Sequence, residues 1–231
     1  MADKTFGIDI SRWQGDYNID QAIKEGVQFV IAKIGGGDDG LYKDRQFEAN
    51  YQKCKKAKIP IGCYFYSDAT TMDAAKREAA FLLELLKDHQ FEFPIFWDIE
   101  GRVLRMTNRT QLTEIVNYEC ATIEAAGYWV GIYSSLSSFN TELNDRSLAR
   151  YSHWVACWNR GSVPKLNSGN ETQMHQFGGE TNLVRSNKVA GKVTDQNYCW
   201  IDYPRWIKAA GLNNFPKPKK KTTTKAKENK K

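Results

Sequence analysis

The sequence predicts an α/β protein built as an irregular, TIM-like β/α barrel, with five β/α units followed by three further strands. Short apolar stretches recur about every 30 residues as far as residue 133, with helical patterns between them, as expected for parallel strands with crossover helices. These stretches are apolar almost throughout, which is typical of strands covered on both faces. Beyond residue 134 the strand patterns continue with little helix between them. The 231 residues are enough for one such barrel.

The five β/α units follow one another along the chain. Their strand patterns cover residues 5–10, 27–34, 59–66, 93–100 and 128–133. Their helical patterns cover residues 18–25, 44–56, 73–87 and 107–126. Asn18 or Asp20 is expected to cap the first helix. The glycines at 35–37 are not followed by Gly-Lys-Ser/Thr, so they predict a turn rather than a phosphate loop.

The second half of the chain contains three strand patterns and then a basic tail. The strands are predicted at 154–158, 173–177 and 192–195, with a last short helix at 205–210. Residues 217–231 hold eight lysines and one glutamate, a net charge of +7, so residues 1–216 carry −1 of the total of +6. The Pro-Lys-Pro start and the Thr/Lys repetition predict a disordered tail or linker. We therefore predict a catalytic barrel over 1–215 and a basic tail over 216–231.

Cysteine, histidine and hydropathy patterns exclude several classes of protein. The five cysteines are scattered without a CxxC pair and the three histidines are dispersed, so neither a disulfide framework nor a metal site is expected. No apolar run reaches the length of about 18 residues that a membrane span needs. Residues 1–5 show no apolar stretch like that of a signal peptide, so we expect synthesis in the cytoplasm without one.

The stretch FPIFWDIE at residues 93–100 is the centre of the predicted site. Side chains of a strand alternate between faces, so Asp98 and Glu100 are expected on one face with Cα atoms about 6.5 Å apart. Two carboxyls at the end of a buried strand repel each other, which keeps one protonated near neutral pH. One acid and one anion are what glycoside hydrolysis needs. The other interpretation is a solvated pair of acids where the strand leaves the core.

Acids also stand at the ends of other predicted strands. Chemistry in β/α barrels lies at the C-terminal ends of the strands. Asp9 ends the first strand and Asp195 the last, and these strands are neighbours in a closed barrel. Both acids are therefore expected at the same mouth as Asp98 and Glu100. Such oxygen ligands also suit Mg²⁺ or Ca²⁺, as in a barrel phosphodiesterase, but no His or Lys for the leaving group of that reaction is evident.

Aromatic residues accompany the acids on the same predicted strands. Tyr64 and Tyr66 lie on the third strand, Tyr133 on the fifth and Trp158 on the sixth. Aromatic faces stack on the apolar faces of sugar rings, so carboxylates ringed by aromatics indicate a carbohydrate. Packing in the core is the alternative for each aromatic residue taken singly.

Three motifs together resemble a known family. They are GIDIS at 7–11 with Gln14 and Gly15, FWDIE at 96–100, and DQNY at 195–198. In this combination the chain resembles, over about residues 5–210, the lysozymes of glycoside hydrolase family 25. Members of that family are N-acetylmuramidases, found in phage endolysins and bacterial autolysins. The resemblance implies an irregular barrel of five β/α units and three further strands, in agreement with the strand count.

The resemblance also implies roles for individual residues. Glu100 matches the general acid, Asp98 its partner carboxylate, and Asp9 and Asp195 the flanking acids. The groove residues implied are Tyr64, Tyr66, Tyr133, Trp158 and Gln176. One stretch departs from the family pattern: Lys-x-Thr/Ser-Glu-Gly after the second strand is replaced here by KIGGG at 33–37. Contacts at that lip of the groove are therefore expected to differ.

The predicted activity is cleavage of the β-1,4 bond between N-acetylmuramic acid and N-acetylglucosamine. Glu100 is expected to protonate the glycosidic oxygen and then to activate water. Asp98 either attacks the sugar as a nucleophile or stabilises the substrate's 2-acetamido group, which attacks in its place; the substrate and the resemblance favour the second route. A chitinase-like hydrolase is the alternative enzyme, but its longer D-x-x-D-x-D-x-E run is absent. A non-catalytic sugar-binding barrel has no need of a like-charged pair.

The partners and location follow from this activity. Bacterial peptidoglycan is the expected substrate, reached after release from the cytoplasm, and the basic tail is expected to bind anionic wall polymers. We expect no cofactor and no metal, no nucleic acid or membrane partner, and a monomer.

Overall fold

The computed structural model describes residues 4–38, 40–158, 162–179 and 186–217. The strands within these ranges are β1 (Thr5–Ile10), β2 (Phe29–Gly36), β3 (Tyr42–Lys43), β4 (Ile61–Tyr66), β5 (Ile95–Asp98), β6 (Val130–Ser135), β7 (Ser152–Ala156), β8 (Met174–Gly178), β9 (Lys188–Val189), β10 (Lys192–Val193) and β11 (Asp195–Cys199). The α-helices are α1 (Ile19–Lys24), α2 (Phe47–Ala57), α3 (Met72–Leu86), α4 (Val103–Met106), α5 (Arg109–Ala125), α6 (Leu136–Thr141) and α7 (Tyr203–Ala210). Short 3₁₀ turns cover Arg12–Gln14 and Asp145–Leu148.

A barrel closes through eight of these strands. Its order is β1, β2, β4, β5, β6, β7, β8 and β11, with β11 returning to β1. All neighbours from β1 to β8 are parallel, whereas β11 runs antiparallel to both β8 and β1. Strand β3 adds to the edge of β2, and β9 and β10 form a separate hairpin. The predicted barrel of five β/α units and three further strands is confirmed.

Several local details differ from the prediction. The fourth barrel strand ends at Asp98, so Glu100 lies in the segment that follows it. The strand predicted at 192–195 was wrong: residues 188–193 form the hairpin, and the barrel strand begins at Asp195. Helices α4 and α6 and the hairpin are too short to show a periodic pattern. Asn18 rather than Asp20 caps α1, because its side chain accepts from the Gln21 N–H at 2.9 Å.

Two apolar layers hold the barrel together. One fills its interior with buried side chains that include Phe29, Phe96 and Trp154. The other lies between the strands and the surrounding helices. It contains side chains from the outward face of the strands, such as Trp97 on β5. Glycine is required at some inward positions: a β-carbon at Gly7 would collide with the ring of Phe29. The alternation on β5 thus turns Phe96 and Asp98 inward and Trp97 outward, as predicted.

The segment after α7 closes the end of the barrel opposite the acids. Asn213 is fully buried, and its amide donates to the carbonyls of Phe91 and Phe93 at 3.0 and 2.9 Å. Its side-chain oxygen accepts from the Trp129 N–H at 2.7 Å. The C-terminal anchoring of the barrel continues through Asn214, whose amide donates to the His89 carbonyl at 2.9 Å. The predicted tail lies outside the described residues from 218 onward, so its disorder and the 215/216 boundary stay predictions.

Two further features concern thiols and membranes. All five cysteines are free thiols, and four of them are buried. Within the described part of the chain, no helix combines the length and the hydropathy needed to cross a membrane.

Candidate active site

The four predicted acids lie at one end of the barrel. Asp9 precedes the last residue of β1, Asp98 is the last residue of β5, and Glu100 follows two residues later. Asp195 was predicted to end its strand, but it is the first residue of β11. Because β11 is antiparallel to β1, its first residue pairs with Asp9, and this reversal brings Asp195 to the same mouth. The predicted location was right, but for a different reason.

Asp9 is a buried carboxyl held by two amides. Its Oδ2 accepts from Asn197 Nδ2 at 2.8 Å and from Gln176 Nε2 at 3.1 Å. Burial raises the pKa of Asp9 to about 6, although both hydrogen bonds lower it and the charge of Glu100 raises it further. Asp9 is therefore oriented by its neighbours and titrates near neutral pH.

Asp98 and Glu100 form an electrostatically coupled pair. Asp98 is 4% exposed, and among the described residues its buried Oδ1 has no hydrogen-bond partner. Burial, and then repulsion by Glu100, holds the pKa of Asp98 well above its usual range. Glu100 is exposed at the rim, and desolvation by the surrounding mouth raises its pKa as well. Burial and mutual repulsion therefore disfavour ionisation of both carboxyls at once.

Lys33 supplies positive charge to this pair. It follows the inward-facing Ile31 on β2 by two positions, and its charge lowers the pKa of both Asp98 and Glu100. Its Nζ lies 4.8 Å from the centre of the Tyr66 ring. Lys33 therefore favours one ionised carboxylate in the pair. In the sequence Lys33 stands out only as part of the KIGGG stretch, yet its inward position follows from the alternation along β2.

The predicted aromatic wall is present around the acids. The charges of Asp98 and Glu100 act on both Tyr66 and Tyr133, and burial is the main cause of their raised pKa values, to about 12 for Tyr66. Asp98 is paired across the sheet with Tyr66 on β4 and with Tyr133 on β6. The phenol pKa of Tyr64 also lies well above its usual range, through burial and then the charge of Asp9.

Gln176 connects this wall to the acids. It donates to Asp9, while its Oε1 accepts from Tyr133 Oη at 2.9 Å and from Trp158 Nε1 at 2.8 Å. Trp158 lies just beyond β7 and is 37% exposed, so part of its ring faces solvent. The structure thus brings Tyr64, Tyr66, Tyr133, Trp158 and Gln176 to the mouth.

Two residues at this end were not singled out as site residues from the sequence. Asn197 is fully buried and links Asp9 to Trp154, whose Nε1 donates to its Oδ1 at 2.8 Å. Asn197 follows Asp195 by two positions on one strand, and this spacing was the available signal. Trp13, in the 3₁₀ turn after β1, is 78% exposed, the highest exposure among the large apolar residues of the described chain.

The KIGGG stretch at residues 33–37, which departs from the family pattern, is lined in the structure by Asp38 and Tyr42. A β-carbon at Gly36 would lie 2.9 Å from Tyr42 Oη and 3.0 Å from Asp38 Oδ1. The charge of Asp38 also reaches Asp98 and raises its pKa. At this lip, Asp38 and Tyr42 therefore occupy the space next to the glycine where the family pattern has glutamate.

The acids do not form a metal-ligand cluster in the described residues. Nowhere in ranges 4–38, 40–158, 162–179 and 186–217 do three His, Cys, Asp or Glu side chains come together closely enough to hold a metal ion. The arrangement suits proton transfer instead, because it combines coupled carboxyls with one nearby cation.

A β/α barrel with coupled carboxyls in an aromatic mouth has the architecture of a glycoside hydrolase. The family model described as Glycosyl hydrolases family 25 matches residues 8–185. The chain therefore belongs to glycosyl hydrolase family 25, as the sequence motifs indicated.

Individual relatives agree with this assignment. Lysozyme M1 of Streptomyces globisporus is 28% identical over 177 residues, which are 71% of this chain and 58% of that protein. The chain thus spans little more than half the length of this relative. The bacterial lysozyme of Streptomyces coelicolor has a TM-score of 0.73 at 24% identity, covering 92% of this chain and 98% of that one. The muramidase of Acremonium alcalophilum has a TM-score of 0.72 at 19% identity, covering 91% and 99%. Both structures share the fold.

Proposed function

We propose that this protein is a peptidoglycan hydrolase that cleaves the β-1,4 bond between N-acetylmuramic acid and N-acetylglucosamine. The observation that carries the proposal is the coupled pair of Asp98 and Glu100 in an aromatic mouth, in a chain that belongs to family 25. The relatives described as lysozyme and muramidase support the same substrate class.

Glu100 is the general acid and base in this proposal. It stands at the exposed rim, where a glycosidic oxygen and the incoming water can both reach it. Desolvation raises the pKa of Glu100, which is the direction that a proton donor needs. After bond cleavage the carboxylate takes a proton from water.

Asp98, which is buried at the end of β5, assists bond cleavage in this proposal. Its Oδ1 is buried without a partner among the described residues, and a buried carboxylate oxygen normally has one. The N–H of the substrate's 2-acetamido group is a donor of the right chemistry for that oxygen. This favours the route in which Asp98 orients the acetamido group, whose oxygen attacks the anomeric carbon. Direct attack by Asp98 is the second route.

The remaining residues of the mouth hold the sugar and its charge. Asp9 and Asp195 form the opposite wall of carboxyls, and Gln176 keeps Asp9 oriented. Tyr64, Tyr66, Tyr133 and Trp158 provide the aromatic surfaces. The protein acts on the cell wall, and the tail from 216 onward is an additional contact to anionic wall polymers.

Digestion of purified peptidoglycan tests the proposal. New reducing ends are identified by mass spectrometry after reduction, with Glu100→Gln as the inactive control and a chitin oligosaccharide as the comparison substrate. We expect reduced N-acetylmuramic acid ends, insensitivity to EDTA and much slower cleavage of chitin. Reduced N-acetylglucosamine ends, or preferential cleavage of chitin, would replace the proposal by a chitinase-like activity. Binding without new reducing ends would indicate a sugar-binding barrel.

A further inference from the structure

The segment that carries Glu100 is tied to the loop after β4 by an ion pair. Arg102 Nε donates to both oxygens of Asp68, at 3.0 and 2.9 Å. Its Nη2 also donates to Asp68 Oδ2 and, at 3.3 Å, to the backbone carbonyl of Asp68. Several donors of the Arg102 guanidinium thus bond to Asp68, which fixes the orientation of the two side chains as well as the distance between them.

Asp68 is itself held in place. Its side chain is 8% exposed, and its backbone N–H donates to Glu78 Oε1 at 3.2 Å. The neighbouring Ser67 donates its N–H to the carbonyl of Asp98 at 3.1 Å and its hydroxyl to Glu119 at 3.0 Å. The loop that receives Arg102 is therefore also bonded to the backbone of Asp98.

Glu100 lies between two anchored points. On one side, the Ile99 N–H donates to the Tyr133 carbonyl at 2.9 Å, and the Ile99 carbonyl accepts from Ser134 Oγ at 2.7 Å. On the other side is Arg102. Gly101 between them has φ +65°, and a β-carbon there would collide with Tyr66 Oη. The turn therefore requires glycine and packs closely over the aromatic wall.

We propose that Arg102 and Asp68 are positioning residues for Glu100: their ion pair sets where the acid stands relative to Asp98. This inference rests on the proposed role of Glu100 as the proton donor. The Arg102 side chain is 52% exposed, and pairs in contact with solvent contribute little to stability. Small displacements of a catalytic group, by contrast, cost up to about 10²-fold in rate. The pair is thus expected to matter for turnover more than for folding.

Arg102→Ala tests the pair, with Arg105→Ala as the matched control. Arg105 is exposed on α4, which begins directly after Arg102, and it has no ion pair in the described part of the chain. We measure kcat, KM and Tm on soluble peptidoglycan fragments, together with the pH profile of kcat. The expected result for Arg102→Ala is a kcat lower by about tenfold, with KM and Tm close to wild type. Arg105→Ala should match wild type in all three.

Three more variants, Arg102→Lys, Asp68→Asn and the double variant, distinguish positioning of Glu100 from general damage to the fold. Arg102→Lys keeps the charge but not the forked geometry, so it should recover only part of kcat. Asp68→Asn combined with Arg102→Ala should be no slower than the slower single variant, because both remove one interaction.

Each outcome decides the inference. Wild-type kcat in Arg102→Ala would overturn it, and so would a fall in Tm that parallels the fall in kcat. Independent, multiplicative effects of the two substitutions would also overturn it. Wild-type protein that makes no muramic acid ends would instead refute the proposed function and, with it, this role for Arg102.

Discussion

Two pairs of carboxyls in the described part of the chain differ in their access to solvent: one lies at the barrel mouth and the other is sealed behind it. The mouth pair is Asp98 and Glu100. The sealed pair is Glu78 on α3 and Glu119 on α5, which are 4% and 0% exposed. Burial raises the pKa of Glu78 to about 7 and that of Glu119 well above its usual range, with repulsion between the two adding to the second shift. In both pairs, burial therefore disfavours the ionised form of the carboxyls.

The pairs differ in access and in partners. Glu100 faces solvent and has Lys33 as a nearby cation, whereas Glu119 is buried and its polar neighbours among the described residues are Ser67 and Glu78. A shared proton relieves the repulsion between two adjacent buried carboxyls, so we expect the sealed pair to hold one. Gly37 leaves room for the Glu78 carboxyl, since a β-carbon at position 37 would collide with that carboxyl. A raised pKa therefore identifies a reactive site only where substrate can reach it.

The same substitution in both pairs should give the largest contrast. Glu100→Gln removes the proton donor at the mouth, so kcat should fall by at least about 10²-fold while the fold is kept. Glu119→Gln changes a residue that no substrate touches and should leave kcat near wild type. The measurement is release of reducing ends from soluble peptidoglycan fragments. Near-normal turnover by folded Glu100→Gln would refute the assignment of the acid.

The sealed pair should make stability depend on pH. Because the folded pKa of Glu78 is about 7 against 4.5 for the free side chain, the pair stabilises the fold fully below about pH 4.5. That contribution is lost as pH rises through about 7. Since one pKa unit corresponds to about 1.4 kcal/mol, a rise in the pKa of Glu78 from 4.5 to about 7 predicts a loss of roughly 3 kcal/mol between pH 4.5 and 8.

Glu119→Gln tests this dependence. It should raise the free energy of unfolding at pH 8 and flatten its pH dependence, as measured by urea denaturation at pH 5 and pH 8. The control is Glu114→Gln, an exposed position on the same helix, which should follow wild type. An equal pH dependence in Glu119→Gln and wild type would show that the pair does not share a proton.

Removing the cation at the mouth should have a smaller effect. Lys33 lowers the pKa of Asp98 and Glu100, so Lys33→Met should raise both. The alkaline limb of the pH–activity profile, where the acid loses its proton, should then move up by about half a unit to one unit. Lys24→Met, an exposed change on α1, is the control. A limb that stays in place or moves to lower pH would contradict this role.

The smallest effect is expected from the tail. Removal of residues 217–231 takes away a net charge of +7. Exposed charges are screened within about 10 Å at 0.1 M salt, so binding to intact walls should weaken at low salt and change little at high salt. Cleavage of a small soluble fragment should be unchanged at both. Loss of activity on that fragment would show that the tail belongs to the catalytic fold.

The sequence by itself determined the barrel and most of its mouth. Alternation along β5 was enough to place Asp98 on the same face as Phe96 and Trp97 on the opposite face, because strand geometry follows from local chain chemistry. The recurring strand and helix patterns predicted the five β/α units, and the motifs identified the family. Lys33 and Asn197 were also readable, since each lies two positions from another inward residue on its strand.

Only the tertiary structure decided how distant segments meet. Asp195 reaches the mouth because β11 runs antiparallel to β1, and strand direction depends on pairing across the barrel rather than on local pattern. The bond between Arg102 and Asp68 joins loops 34 residues apart, and Glu78 meets Glu119 across two helices. The pKa shifts have the same origin, since burial and neighbouring charge exist only once the chain has closed on itself.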